Sequence, residues 1–133
     1  MIIGIGNDLV DIRRIEKSIN RFGERFINRC FSKHEIDYAN KKIKNNGHIS
    51  TYAKRFAAKE AVVKAIGKGF SGGISFKDIS IENDNNGRPN VIIKGKTLDY
   101  VMNQLPDGKG YNIHLSLSDE YPYAQSYVII EAN

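Results

Sequence analysis

The stretch Arg55-Phe-Ala-Ala-Lys-Glu-Ala-Val-Val-Lys-Ala-Ile-Gly67 decides how this chain is read, because it describes a long helix with an acid on its greasy side. At helical period, Ile49, Tyr52, Ala53, Phe56, Ala57, Val63 and Gly67 fall on one arc. Glu60 sits near the middle of that arc, with Lys64 one turn further on. An acid on a core-facing stripe is costly unless positive charge meets it. Lys64 supplies part of that charge, and a metal ion is a candidate for the rest. The plain alternative is an i,i+4 surface pair, worth only about 0.2–0.5 kcal/mol.

Working back to the start, Met1-Ile-Ile-Gly-Ile-Gly-Asn-Asp8-Leu-Val-Asp11 opens with apolar, β-branched residues. Ile2 to Ile5 read as a short buried strand, with Asp8 at or just past its end. Gly4 and Gly6 let another backbone come close or allow an unusual turn. Asp8 or Asp11 is also suited to cap a helix N-terminus. Two glycines alone make no dinucleotide fingerprint. Two acids in apolar company, with a lysine beside one, suit Mg²⁺, which takes one or two carboxylates and leaves the rest of its shell to water and phosphate. Zinc spacing is absent: Cys30 is alone, and His34, His48 and His114 lie far apart.

The remaining pattern is mixed. A short helix is expected from Ile12 to about Asn20. Ser32 and Glu35 form a capping box for a second helix through Ile36 and Ala39. Lys41 to Gly47 reads as a loop, and the long helix then runs from about Ile49 to Ile66, ended by Gly67 or Gly69. Asp78–Glu82 and Asn90–Lys94 read as strands around a turn at Asp84–Gly87. Leu98, Val101, Met102 and Leu105 mark another helix. Tyr111–Ser118 and Gln125–Glu131 form a closing hairpin. The fold class expected is α+β, a mostly antiparallel sheet packed against a long helix and shorter helices.

At 133 residues the chain is expected to be a single domain, 1–133. A net charge of +5 points to an acidic partner or a phosphate ligand. One cysteine excludes an internal disulfide framework and fits a reducing compartment. The first residues lack a signal peptide's basic region, and no apolar run suits a bilayer crossing, so no membrane is expected and the cytoplasm is the expected location.

Gly4-Ile-Gly-Asn-Asp8, followed some fifty residues later by Arg55-Phe-Ala-Ala-Lys-Glu60-Ala-Val-Val-Lys64-Ala-Ile-Gly67, resembles the holo-[acyl-carrier-protein] synthases, which are 4′-phosphopantetheinyl transferases. Asn86-Gly-Arg-Pro89 is similar to the family's Gly-Lys/Arg-Pro turn, and His114-Leu-Ser-Leu-Ser-Asp119 to its closing hairpin. The resemblance implies transfer of 4′-phosphopantetheine from coenzyme A to a serine of acyl carrier protein, in support of fatty acid biosynthesis. It implies Mg²⁺ at Asp8 and Glu60, and a homotrimer with active sites between subunits. Asp8, Glu60 and Lys64 would be catalytic. His114 aligns with a family histidine near the nucleotide; Ser116 shares its strand face. Gly67 would let backbone amides approach a phosphate or adenine.

Arg55 and Lys59 lie on another face of the long helix and are expected to reach the 3′-phosphate of coenzyme A, in a neighbouring subunit's site. Arg14, Arg21, Arg25 and Arg29 form a basic flank that, by resemblance, grips the acidic carrier protein. Some members carry a second histidine after the one matching His114. Here that region reads Ser118-Asp119-Glu120, so no role passes from it. Two rival readings stand beside this one. A small basic nucleic-acid-binding domain agrees with the charge and seven tyrosines, but no recognition motif accompanies them, so nucleic acid is not an expected partner. A non-catalytic carrier-protein adaptor would need no acid at Glu60.

Overall fold

A computed structural model describes residues 1–133. The chain runs β1 (Ile2–Asp11), α1 (Ile12–Phe22), α2 (Glu24–Cys30), α3 (Lys33–Asn40), α4 (His48–Ile66), β2 (Ile79–Asn83), β3 (Pro89–Ile93), α5 (Gly95–Asn103), β4 (Tyr111–Glu120) and β5 (Tyr123–Ala132). Two antiparallel sheets result, one ordered β1-β5-β4 and one formed by β2 and β3. Helix α4 crosses the inner face of the larger sheet, and the shorter helices gather at its two ends. This is the α+β arrangement expected.

Local chemistry explains the boundaries. Asp11 caps α1 by accepting from the backbone N–H of Arg13. The Ser32–Glu35 capping box is present, with both of its reciprocal bonds. Gly67 ends α4 at a φ of 85°, in the left-handed region glycine favours. Leu105, read as helical, lies beyond α5.

Two expectations are corrected. The first strand is ten residues long, so Asp8 lies within it rather than at its end. Its isoleucines are not all buried: Ile5 is 66% exposed. Pleating turns Gly4, Gly6, Asp8 and Val10 inward and Ile5, Asn7 and Leu9 outward, because a strand with one covered face alternates. Nor does α4 have a single apolar arc. Tyr52, Arg55, Lys59, Val62 and Ile66 are buried along one side and Ala53, Ala57, Ala61 and Ala65 along another, since sheet, hairpin and helices surround it. Phe56, Glu60 and Lys64 form its open stripe.

The interior has two parts. One lies between the C-terminal half of α4, the larger sheet, β2, β3 and α5, and includes Val62, Ile79, Ile81, Val101, Val128 and Ile130. The other joins α1–α3 to the N-terminal half of α4 through Ile12, Ile15, Phe31, Tyr52 and Ala57.

Candidate active site

The contact that builds the site is backbone on backbone. A Cβ at Gly4 would lie 2.0 Å from the Ala65 carbonyl oxygen, and one at Gly6 would lie 1.8 Å from that of Ala61. Only glycine allows β1 and α4 to approach this closely. Further along both elements, the same approach brings Asp8 and Glu60 to one pocket of about 480 Å³. Leu9, Val10, Ile15, Phe26 and Phe56 form its apolar wall, and Arg14, Ser18 and Lys64 complete the lining. The two acids, fifty-two positions apart, therefore share an opening.

Their electrostatics are uneven. Burial pushes the Glu60 carboxyl above its ordinary range; the nearby Asp8 charge adds to the rise, and Lys64 opposes it. Lys64 does not bond Glu60, as the i,i+4 spacing suggested. Its ammonium donates to Asp8 Oδ1 at 3.0 Å and to the Asn7 carbonyl at 2.9 Å. β1 offers it two oxygens at once, which a single carboxylate on its own helix does not.

The donor set fits Mg²⁺. Two carboxylates flank an open pocket, the number of protein carboxylates Mg²⁺ takes while water and phosphate complete its shell. Ser126, paired with Asp8 across the strands, is fully buried, and its hydroxyl has no partner.

Comparison with known proteins bears on this geometry. Residues 4–127 match the 4′-phosphopantetheinyl transferase superfamily. The holo-[acyl-carrier-protein] synthase of Paramagnetospirillum magneticum is 51% identical over 132 residues, spanning 99% of this chain and 98% of its own. The chain belongs to the holo-[acyl-carrier-protein] synthase family. The crystal structure of the Neisseria meningitidis synthase aligns with a TM-score of 0.84 at 34% identity, covering 98% of this chain and 99% of that one. The Helicobacter pylori synthase, solved in complex with coenzyme A, aligns with a TM-score of 0.79 at 31% identity, covering 96% and 99%.

Against this family background, the other predicted site residues divide. Arg14 lines the pocket, and Arg21, Arg25 and Arg29 are exposed on α1 and α2, with the Arg21 guanidinium 5.1 Å from the centre of the Phe22 ring. Gly67 is exposed at the end of α4. His114 and Ser116 are exposed on β4, on the sheet face opposite Asp8, so one subunit does not bring them to the carboxylate pair. His114 Nε2 lies 2.8 Å from Glu131 Oε2.

Lys59 is corrected outright. It is fully buried, and its ammonium contacts the Glu35 carboxylate and the carbonyls of Cys30, Phe76 and Ile79. Burial holds its pKa below the ordinary lysine value despite the pull of Glu35. No donor remains for a phosphate.

Arg55 is corrected too. It is buried, stacks 4.3 Å from the centre of the Tyr38 ring and donates to Asn83 Oδ1 at 2.7 Å. Asn83 Nδ2 in turn donates to the Gly87 carbonyl. Arg55 thus braces the β2–β3 turn instead of meeting a ligand.

Next to that turn lies a cavity outside the carboxylate pocket. Arg88, Pro89 and Asn90 share this cavity of about 240 Å³ with Ile113, His114 and Leu115.

Proposed function

We propose that this enzyme transfers 4′-phosphopantetheine from coenzyme A to a serine of apo acyl carrier protein and releases adenosine 3′,5′-bisphosphate, serving fatty acid biosynthesis. The observation that carries the proposal is the meeting of Asp8 and Glu60 in one open pocket. Family membership and the coenzyme A complex of the H. pylori relative support it.

The serine oxygen attacks the β-phosphorus, a new P–O bond forms, and the bond to the α-phosphate oxygen breaks. Asp8 and Glu60 would hold Mg²⁺, which neutralises charge on the pyrophosphate oxygens when bound. The serine proton passes to one of these carboxylates, directly or through water. Both line the pocket that would receive the serine, so either is placed to take the proton. Lys64 reaches phosphate oxygens as a point charge. Arg14 and the exposed arginines of α1 and α2 receive the acidic carrier.

A homotrimer is part of the proposal. The outward face of the larger sheet carries Ile5, Leu9 and Tyr127, the last two 60% and 50% exposed. An apolar sheet face of this kind invites association. His114 and Ser116 lie on the same face, so contact between copies is the route by which they would join another subunit's pocket. Sedimentation should give three chains per particle, and Leu9→Glu should lower that number. A cytoplasmic location is part of the proposal, supported by a lone, unpaired and buried Cys30; no helix is long and apolar enough to cross a membrane.

The deciding assay combines enzyme, coenzyme A, apo carrier protein and Mg²⁺ and weighs the carrier. A gain of one phosphopantetheine group, abolished in Asp8→Ala and Glu60→Ala, is expected. An unchanged carrier mass with wild-type enzyme overturns the reading.

A further inference from the structure

We propose that Lys64 is a built-in stand-in for the divalent cation: its ammonium and a bound metal ion are competing partners of Asp8, and binding of the nucleotide's phosphates relieves the competition. The inference rests on the assignment of Asp8 and Glu60 as the metal pair.

The ammonium sits 3.0 Å from Asp8 Oδ1 and 2.9 Å from the Asn7 carbonyl. It thus fills a spot where two oxygens converge, as a cation would. A divalent ion on Asp8 and Glu60 would set three positive charges against two carboxylates, with ion and ammonium both on Asp8, and like charges at such range repel. One of the two must yield. The Lys64 side chain is 54% exposed and Asp8 only 15%, so the flexible lysine stem moves while strand β1 holds the acid in place. Among the cations lining the pocket, only Lys64 bonds Asp8; Arg14 lines it without a hydrogen bond to either acid.

Two consequences follow. In the absence of nucleotide, metal binds only the fraction of molecules whose Asp8 is released. A partly exposed ion pair at the stronger end of its range leaves roughly one molecule in five in that state, which weakens apparent affinity about fivefold. A phosphate then offers the displaced ammonium a new partner. Metal and nucleotide therefore tighten each other's binding, reciprocally.

The test is Mn²⁺ titration followed by electron paramagnetic resonance, with and without adenosine 3′,5′-bisphosphate, which cannot react. Lys64→Met should tighten Mn²⁺ binding about fivefold without nucleotide, and the further tightening by nucleotide should shrink. Arg14→Gln removes the same charge from the pocket without freeing Asp8, and should change Mn²⁺ affinity less than about twofold, the response of a charge that makes no direct contact. Unchanged or weaker Mn²⁺ binding in Lys64→Met overturns the exchange while leaving the metal pair intact. Equal tightening in both variants also overturns it, since net charge alone would then explain the effect. If Asp8→Asn binds Mn²⁺ as wild type does, the metal assignment itself fails, and the exchange with it.

Discussion

Gly6 packs so closely under Ala61 that a single methyl group would collide with the helix carbonyl. Gly6→Ala must therefore force α4 away from β1, and backbone atoms yield less readily than side chains. We expect at least about 1–3 kcal/mol of lost stability, the usual range for overpacking, read from urea unfolding. Because this contact also sets how Asp8 meets Glu60, kcat/KM should fall in whatever fraction remains folded.

Glu60 carries a cost in the metal-free enzyme. Its folded pKa lies above its unfolded value, so between the two the native state binds more protons. The penalty is thus fully present above the folded pKa and fades as pH falls toward the unfolded value. Glu60→Gln should raise the melting temperature at neutral pH in the absence of metal. The gap between variant and wild type should close on acidification through this window, while transferase activity is lost at every pH. A gap that stays constant with pH contradicts the assignment.

The buried Glu35–Lys59 pair predicts a different response. Lys59→Met strands a carboxylate in the interior, and removing one partner of such a pair costs about 3–5 kcal/mol. The double variant Glu35→Leu/Lys59→Met should not regain wild-type stability. Glu35 also accepts from the N–H groups of Ser32 and Ile81, which would then be unpaired. A double-mutant cycle by urea unfolding separates these contributions.

Ser126→Ala deletes a buried hydroxyl that has no partner. Relief of an unsatisfied polar group should stabilise the metal-free protein by about 1 kcal/mol, measured as a higher urea midpoint at unchanged slope.

Local chemistry was readable in advance and long-range partnership was not. The Ser32–Glu35 cap and the Gly67 stop need only neighbours in the chain, and both form. The value of Gly4 and Gly6 as points of close approach was also legible, because a glycine at every second position leaves one strand face bare. Lys59 misled, since its Glu35 partner lies twenty-four positions away on another helix, and nothing local marks a lysine as interior. Lys64 misled for the same reason: helical spacing proposed Glu60, while the strand supplied Asp8. The placement of His114 across the sheet from Asp8 follows from strand pairing, which a single sequence does not reveal.

The chain of contacts from Arg55 through Asn83 to Gly87 has a practical outcome for chemical inhibition. A compound occupying the recess between Arg88 and His114 would meet a wall propped from within, not an adaptable surface loop. Resistance by reshaping that wall would call for changes at interior positions, where most substitutions also weaken the fold.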